Sequence, residues 1–162
     1  MSMLQHPFLR IDHLAIAVAN LEDAIVFYRD TLKLPLVERR ETLGKHSGMR
    51  SAVMSAGHFQ IVLIEGTSPE SQVSRYIERY GPGVQHVAFE VEDIESTRRA
   101  LAENGLEFST DILAAPGLRQ TFSKRDQVSG MMYELIERTG EEGFQDANTT
   151  RLFEELEKAD AY

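Results

Sequence analysis

The stretch IDHLAIAVANLED (11–23) decides the fold, because the chain repeats its pattern later as VQHVAFEVEDIES (84–96). The two copies align without a gap, and His13 of the first copy falls on His86 of the second. Each copy opens with an alternating run rich in small and β-branched residues, which predicts a strand, and continues through an Asn or Asp N-cap into helical spacing. This internal repeat indicates two copies of one supersecondary unit.

Each copy of the repeat is followed by three further predicted strands, which turn residues separate. After the first copy these are PLVERRET (35–42), GMRSAVMS (48–55) and HFQIVLIEG (58–66). After the second copy they are LEFSTD (106–111), LRQTFSKR (118–125) and GMMYELIER (130–138). The spacing also predicts a capped helix over 68–81 and a last helix in the tail, with Leu152, Phe153 and Leu156 on its apolar stripe.

The order βαβββ therefore occurs twice and predicts an α+β fold, in which two tandem βαβββ modules form a cupped mixed sheet and a C-terminal helix follows. The expected boundaries are 1–66 for the first module, 67–82 for the linking helix, 83–138 for the second module, and 139–162 for the C-terminal tail and helix.

The composition argues against several functions. The net charge of −9 disfavours a nucleic-acid partner, because phosphate binding needs a basic surface. The absence of cysteine excludes disulfides and thiolate metal sites. No run approaches the roughly 20 apolar residues of a membrane span, and the N-terminal residues lack an apolar signal core. We therefore expect a soluble cytoplasmic protein with no membrane partner.

The closing strands of the two modules carry nearly the same phrase, IVLIE (61–65) and YELIE (133–137). The second phrase has Glu134 where the first has Val62. A carboxylate between apolar neighbours on a strand face is costly to bury unless it is paired or bound to a cation. Glu134 is therefore a candidate metal ligand.

Two histidines occupy matched positions on the opening strands. If the modules pack about a pseudo-twofold axis, His13 and His86 become symmetry mates, and Val62 becomes the mate of Glu134. A lone histidine on an apolar strand is usually a hydrogen-bonded core residue, but the matched positions favour metal binding. Two imidazoles and one carboxylate form the facial triad that suits non-haem Fe(II) and leaves positions open for substrate and O₂. Gln60 shares a strand face with Val62, so it is an alternative fourth ligand or a substrate contact.

Several motifs in order resemble the vicinal oxygen chelate superfamily over residues 10–157. The motifs are similar in particular to the catalytic C-terminal domain of 4-hydroxyphenylpyruvate dioxygenase. They are GPGVQHVAFEVEDI (81–94), NGLEF (104–108), LRQTFSK (118–124) and YELIERTGEEGFQDANTTRLFEELE (133–157).

This resemblance implies an Fe(II) dioxygenase that acts on a 2-oxo acid as its small-molecule substrate, with iron held by His13, His86 and Glu134. It also implies a set of substrate-binding residues, namely Ser51, Gln85, Gln120, Phe144 and Asn148. The residues leave Co, Ni, Zn and Mn open as alternative metals. They also leave open whether the modules pair within one chain or across a homodimer.

Two alternatives remain. Residues 10–138 also resemble methylmalonyl-CoA epimerase, which favours an isomerase or glyoxalase-type lyase with a divalent metal. In that family the fourth metal ligand falls on Val62, and the catalytic carboxylate falls in GMRSAVM (48–54), which has no acid, so proton abstraction lacks its base. The second alternative is a non-catalytic small-molecule binding protein, as in bleomycin-sequestering members, although those usually lack the metal residues.

Overall fold

The computed structural model of the chain describes residues 7–139 and 146–161, and for residues 146–149 it describes the backbone alone. The strands in these ranges are β1 (Arg10–Ala17), β2 (Leu36–Leu43), β3 (Gly48–Ser55), β4 (Gln60–Gly66), β5 (Gly83–Glu90), β6 (Leu113–Ala115), β7 (Leu118–Phe122) and β8 (Met132–Arg138). The helices are α1 (Leu21–Val26), α2 (Gln72–Tyr80), α3 (Ile94–Glu103) and α4 (Asp146–Lys158). One π-helical turn, Phe27–Thr31, continues α1.

All eight strands form one sheet, in the order β2-β3-β4-β1-β5-β8-β7-β6. β1 and β5 lie side by side at its centre and run antiparallel. β1 pairs in parallel with β4 on one side, as β5 pairs in parallel with β8 on the other. Each half of the sheet therefore repeats the other about an axis between β1 and β5. The predicted α+β class with two tandem modules is confirmed, and a single chain brings the two modules together.

The predicted N-cap residues begin both module helices. Asn20 and Asp93 each accept a hydrogen bond of 3.0 Å from the backbone N–H three residues ahead. The linking helix α2 is shorter than predicted and begins at Gln72, because Ser71 is its N-cap and accepts a bond from the N–H two residues ahead.

Each of the two repeated phrases ends in a glutamate, and the two glutamates have the same structural role in their modules. Glu65 Oε2 accepts a hydrogen bond of 3.2 Å from the N–H of Leu21, at the start of α1. Glu137 Oε2 accepts a bond of 2.8 Å from the N–H of Ile94, at the start of α3. A carboxylate at a helix N-terminus satisfies an unpaired N–H and opposes the helix dipole. The repeat therefore fixes where each helix meets its closing strand.

One predicted strand is wrong. Residues 106–111 form no strand, and Phe108 makes only an isolated bridge with Ser123. The N–H of Phe122 donates to the Thr110 hydroxyl at 2.9 Å, so a side chain replaces the backbone partner that a ladder would need. β7 pairs on one side with β8 and on the other side with β6, which lies between the segments predicted as strands (106–111 and 118–125).

The two module helices and the C-terminal helix cover different faces of the sheet. On one face, Leu21 of α1 packs on Leu63 of β4, and Ile94 of α3 packs on Leu135 of β8. On the opposite, concave face, α4 contacts β2 and β6, which are the two edge strands. The concave face therefore forms a cup that α4 crosses.

The predicted apolar stripe of α4 is confirmed, since Leu152, Phe153 and Leu156 are buried. Leu152 and Leu156 pack in one cluster with Phe122 and Met132 of the sheet. None of the helices in the described part of the chain combines the length and the hydrophobicity needed to cross a lipid bilayer.

Candidate metal centre

Three buried side chains meet at the axis between the modules. His13 on β1, His86 on β5 and Glu134 on β8 are 3%, 8% and 1% exposed. Glu134 Oε2 lies 3.0 Å from His13 Nε2 and 3.3 Å from His86 Nε2. The two Nε2 atoms lie 3.4 Å apart. The structure thus brings together the three side chains that the repeat predicts as metal ligands.

These distances fit a shared divalent cation. Ligand atoms that lie about 2.1 Å from one metal ion, at angles of about 90–110°, are about 3.0–3.4 Å from one another. The observed separations span 3.0 to 3.4 Å. Two imidazoles and one carboxylate suit first-row divalent metals, and ligands confined to one side of the ion leave its other side for exogenous molecules.

Bulges in the β1–β5 pairing place a polar residue beside each histidine. The register shifts twice, so that Asp12 in β1 and Gln85 in β5 are each an extra residue. Strand alternation would turn them away from the histidine that follows, but a bulge re-aims the side chains. The shift at Asp12 also leaves Ile11 42% exposed, whereas unbroken alternation would place Ile11 on the same face as His13.

Asp12 orients His13. Its Oδ2 lies 2.7 Å from His13 Nδ1, which leaves Nε2 facing Glu134. Arg138 donates to both oxygens of Asp12, at 2.7 and 3.1 Å. Burial opposes ionisation of Asp12, but hydrogen bonds from His13 and Arg138 hold its pKa well below the usual range. Burial lowers the pKa of His13, but the Glu134 and Asp12 carboxylates outweigh it and raise that pKa to about 9.

Amide side chains orient the other two candidate ligands. Gln85 Oε1 lies 2.6 Å from His86 Nδ1, and burial lowers the pKa of His86. Gln120 Nε2 donates to Glu134 Oε1 at 2.6 Å, which leaves Oε2 facing the histidines. Burial raises the pKa of Glu134, but His13 and His86 outweigh it and lower that pKa to about 2. Both glutamines predicted to bind substrate thus contact candidate ligands, and their contact with substrate stays a prediction.

The strand register places Val62 at the position equivalent to Glu134. Ala15 of β1 pairs with Val62 of β4, as Ala88 of β5 pairs with Glu134 of β8. The first module therefore presents an aliphatic side chain where the second presents a carboxylate.

Gln60 lies in a different pocket. It is the register partner of His13, but it lines a polar pocket of about 250 Å³ together with Arg10, His58 and Arg138. The described lining of the cavity over the three candidate ligands does not include it. Metal ligation by Gln60 stays a prediction.

A cavity of about 80 Å³ lies over the three candidate ligands. Apolar side chains of β3, β4 and α4 dominate its walls, among them Val53, Val62, Ile64, Leu152 and Phe153. One water occupies roughly 10–15 Å³ of such space, so with α4 in place the cavity accommodates a small ligand.

The remaining predicted substrate-binding residues divide into two groups. Ser51 is 6% exposed and lines the cavity. Phe144 lies outside the residues that the structure describes. The backbone of Asn148 lies in α4, but its side chain is outside the described set.

Four residues of the site escaped the sequence analysis. Asp12 and Arg138 form the ion pair behind His13, and only the bulge reveals it. Arg40 lines the cavity from β2, and Gln72 lines it from the start of α2. Gln72 Oε1 is buried and has no hydrogen-bond partner among the residues that the structure describes, which marks an acceptor for a donor group of a ligand. For Arg40 and Gln72 the available signal was a polar residue at an inward position of the element.

A cupped sheet of two βαβββ modules, with two histidines and a glutamate meeting at its axis, defines the vicinal oxygen chelate class of proteins. Residues 10–135 match the model of the Glyoxalase/Bleomycin resistance protein/Dioxygenase superfamily, and the chain belongs to this superfamily. The predicted resemblance to the class is thereby confirmed.

Relatives within this superfamily fall into more than one reaction class. The chain is 31% identical to 4-hydroxyphenylpyruvate dioxygenase from Pseudomonas aeruginosa over 71% of its own length, and it spans 42% of that enzyme. It resembles the structure of a hypothetical protein from Bacillus halodurans with a TM-score of 0.72 and 30% identity, covering 83% of this chain and 98% of that one. Methylmalonyl-CoA epimerase from Mycobacterium tuberculosis gives a TM-score of 0.71 and 26% identity, covering 85% of this chain and 93% of the epimerase.

Proposed function

We propose that this protein is a non-haem Fe(II) dioxygenase that acts on a 2-oxo acid, similar to 4-hydroxyphenylpyruvate dioxygenase. The observation that carries the proposal is Val62 at the position equivalent to Glu134. The isopropyl side chain of Val62 has no atom that can coordinate a metal ion. An ion held by His13, His86 and Glu134 would therefore keep positions open for exogenous ligands.

The lining of the cavity supports the same reaction class. Among the described residues that line it, Glu134 is the only carboxylate, and it is a candidate ligand. An epimerase needs a base that removes a carbon-bound proton, and a ligand carboxylate held between two imidazoles is poorly suited to that task. Oxidative decarboxylation of a 2-oxo acid needs no such base.

The chain contributes orientation and a dry pocket to this chemistry. His13, His86 and Glu134 would hold the ion, and Asp12 and Gln85 keep the two Nε2 atoms aimed at it. Bound iron supplies the redox chemistry by which O₂ releases CO₂ from the 2-oxo acid, with one oxygen atom entering the new carboxylate and the other entering the rest of the substrate. The apolar wall and α4 exclude water from the reacting groups.

A second candidate is an isomerase or lyase of the methylmalonyl-CoA epimerase or glyoxalase type, using Co, Ni, Zn or Mn. Its support is the match over 93% of the epimerase chain. A non-catalytic small-molecule binding protein is the third candidate, and the convergence of three ligand side chains counts against it. One chain supplies all three candidate ligands, so the site does not need a second subunit. The expected homodimer stays a prediction.

The deciding experiment loads metal-free protein with Fe(II) under anaerobic conditions and then adds 2-oxo acids and O₂. The proposal predicts O₂ consumption and CO₂ release in equal amounts, loss of both in Glu134→Ala, and retention of both in the matched variant Gln60→Ala. Hydrogen exchange on methylmalonyl-CoA without O₂ uptake would instead establish the epimerase. Full activity of Glu134→Ala would overturn the ligand assignment.

A further inference from the structure

We infer that Tyr76 of α2 is a positioning residue for the metal centre, because its hydroxyl holds the β-bulge that aims Gln85 at His86. The inference rests on the proposed function, since it concerns the metal site on which that function depends. It extends the site to the linking helix, which supplies none of the three candidate ligands.

The bulge at Gln85 leaves the backbone before His86 short of strand partners. On the β1 side, Ala15 pairs with His86 and Ile16 pairs with Val84, so Gln85 is skipped. On the β8 side, the parallel pairing begins only at His86. Val84 and Gln85 therefore have no register partner in β8. Backbone carbonyls in such a position need donors from elsewhere in the structure.

Two side chains supply these donors. The Tyr76 hydroxyl donates to the Val84 carbonyl at 2.8 Å, and Tyr76 is 6% exposed. Arg125 Nη2 makes a longer bond of 3.4 Å to the Gln85 carbonyl. The guanidinium carbon of Arg125 also lies 5.0 Å from the ring centroid of Tyr76. Side chains thus hold both carbonyls that precede His86, and the shorter bond comes from Tyr76.

The bulge brings the Gln85 side chain beside His86. Gln85 Oε1 lies 2.6 Å from His86 Nδ1, although the two residues are neighbours on β5. Regular alternation would put neighbouring side chains on opposite faces of the sheet. A change in the bulge would therefore move the amide that orients His86, and hydrogen-bond partners of this kind affect metal affinity.

The first module holds its equivalent bulge in another way. Its extra residue, Asp12, is a carboxylate that pairs with Arg138 at 2.7 Å. The side chain of Gln85 is neutral and forms no ion pair of its own. The second bulge depends more on its backbone bonds for that reason, and α2 supplies the shorter of the two. We expect Tyr76 to act on the His86 side of the metal site.

Metal titrations of conservative variants test the inference. Tyr76→Phe removes one hydroxyl and keeps the ring, so it should weaken Zn(II) binding about 3-fold to 10-fold, as loss of one hydrogen bond allows. The absorption spectrum of the Co(II)-loaded variant should shift, because His86 changes its orientation at the ion. Tyr80→Phe is the matched control, since Tyr80 lies on the same helix and is 49% exposed. It should retain the wild-type affinity and spectrum.

A double-mutant cycle separates positioning from a general loss of stability. If Tyr76 acts through Gln85, Tyr76→Phe should change Zn(II) affinity by less than about twofold in a Gln85→Met background. In an Asp12→Asn background it should cause its full loss, because Asp12 orients the other histidine. A general loss of stability would weaken metal binding equally in both backgrounds.

Two results would overturn the inference. One is wild-type Zn(II) affinity in Tyr76→Phe. The other is the same loss of affinity with and without Gln85→Met. Both are measured without O₂, so a protein that consumes no O₂ with Fe(II) but shows the Gln85-dependent effect of Tyr76→Phe refutes the dioxygenase proposal and retains the role of Tyr76.

Discussion

The two βαβββ modules share a backbone plan and differ in what they give to the metal site. The first module contributes His13 and an aliphatic Val62, whereas the second contributes His86 and the carboxylate of Glu134. Both modules have the glutamate that holds the helix N-terminus, so this part of the repeat is the same in both. The backbones of the two modules are therefore related by symmetry, and the metal-site residues differ at the pair Val62 and Glu134.

A second difference concerns the partner of each histidine. A carboxylate, Asp12, accepts from His13, and it is itself held by Arg138. An amide, Gln85, accepts from His86. A carboxylate partner raises the basicity of the imidazole more than an amide does, so His13 is expected to be the stronger metal donor.

The largest expected effect follows from removing the carboxylate that the second module alone supplies. Glu134→Ala should weaken metal binding by more than the roughly 100-fold that loss of an outer hydrogen-bond partner costs. Equilibrium dialysis with Fe(II) or Zn(II) measures the change. Glu137→Ala on the same strand is the control, since it should lower stability and leave metal affinity within about threefold.

The second-largest effect is expected from a substitution that makes the two modules alike at the metal site. Val62→Glu places a fourth ligand, and a second carboxylate, at the equivalent position, so metal is retained while O₂ consumption falls by more than about 100-fold. Val62→Leu keeps the apolar wall and should keep most of the activity. Oxygen-electrode assays on Fe(II)-loaded variants measure both. Unchanged O₂ consumption in Val62→Glu would show that Val62 does not face the metal.

Because the hydrogen-bond partners of the two histidines differ, substitutions of these partners should lower metal affinity by different amounts. Asp12→Asn should weaken metal binding about 10-fold to 100-fold, because the neutral amide holds His13 less firmly and removes the negative charge that pairs with Arg138. Gln85→Met should cost less, since a neutral hydrogen bond is lost. Metal titrations of the two variants in parallel give the order. A larger loss of metal affinity in Gln85→Met than in Asp12→Asn would mean that the partner of His86 matters more than the partner of His13.

The smallest effect concerns the shared helix-capping glutamates. Glu137→Gln and Glu65→Gln should each lower the free energy of unfolding by about 1 kcal/mol, with the larger loss at Glu137, whose bond is shorter and whose side chain is more buried. Urea denaturation of the metal-free proteins measures both. Equal and negligible losses would mean that Glu65 and Glu137 do not stabilise the starts of α1 and α3.

The repeat made much of this site readable from the sequence. Matched histidines, and a glutamate set against a valine, predict the pseudo-twofold arrangement, and the structure brings His13, His86 and Glu134 within bonding distance of one ion. Alternation could not reveal the bulges that turn Asp12 and Gln85 toward the histidines, because an extra residue leaves no mark in the pattern.

Two features could not be predicted from the sequence: hydrogen bonds from side chains to the backbone, and packing between segments that are far apart in the chain. The strand predicted over 106–111 failed because Thr110 bonds to the backbone of Phe122 in place of a ladder. In the sequence, Arg40 is one of four successive charged residues (38–41), and this pattern gives no sign that it faces a cavity. Its position in the cavity depends on how far the sheet curls and on where α4 crosses, and neither is encoded within β2 itself.

The central claim is an ion held by three protein ligands, with the remaining positions open. Electron paramagnetic resonance of the nitric oxide adduct of Fe(II)-loaded protein tests it most directly, with and without a bound 2-oxo acid. We expect a spin-3/2 signal in both samples, whose shape changes when the acid binds, because an ion with three protein ligands would have room for two substrate oxygens and nitric oxide together. Absence of the adduct, or its displacement by the acid, would contradict the open three-ligand site.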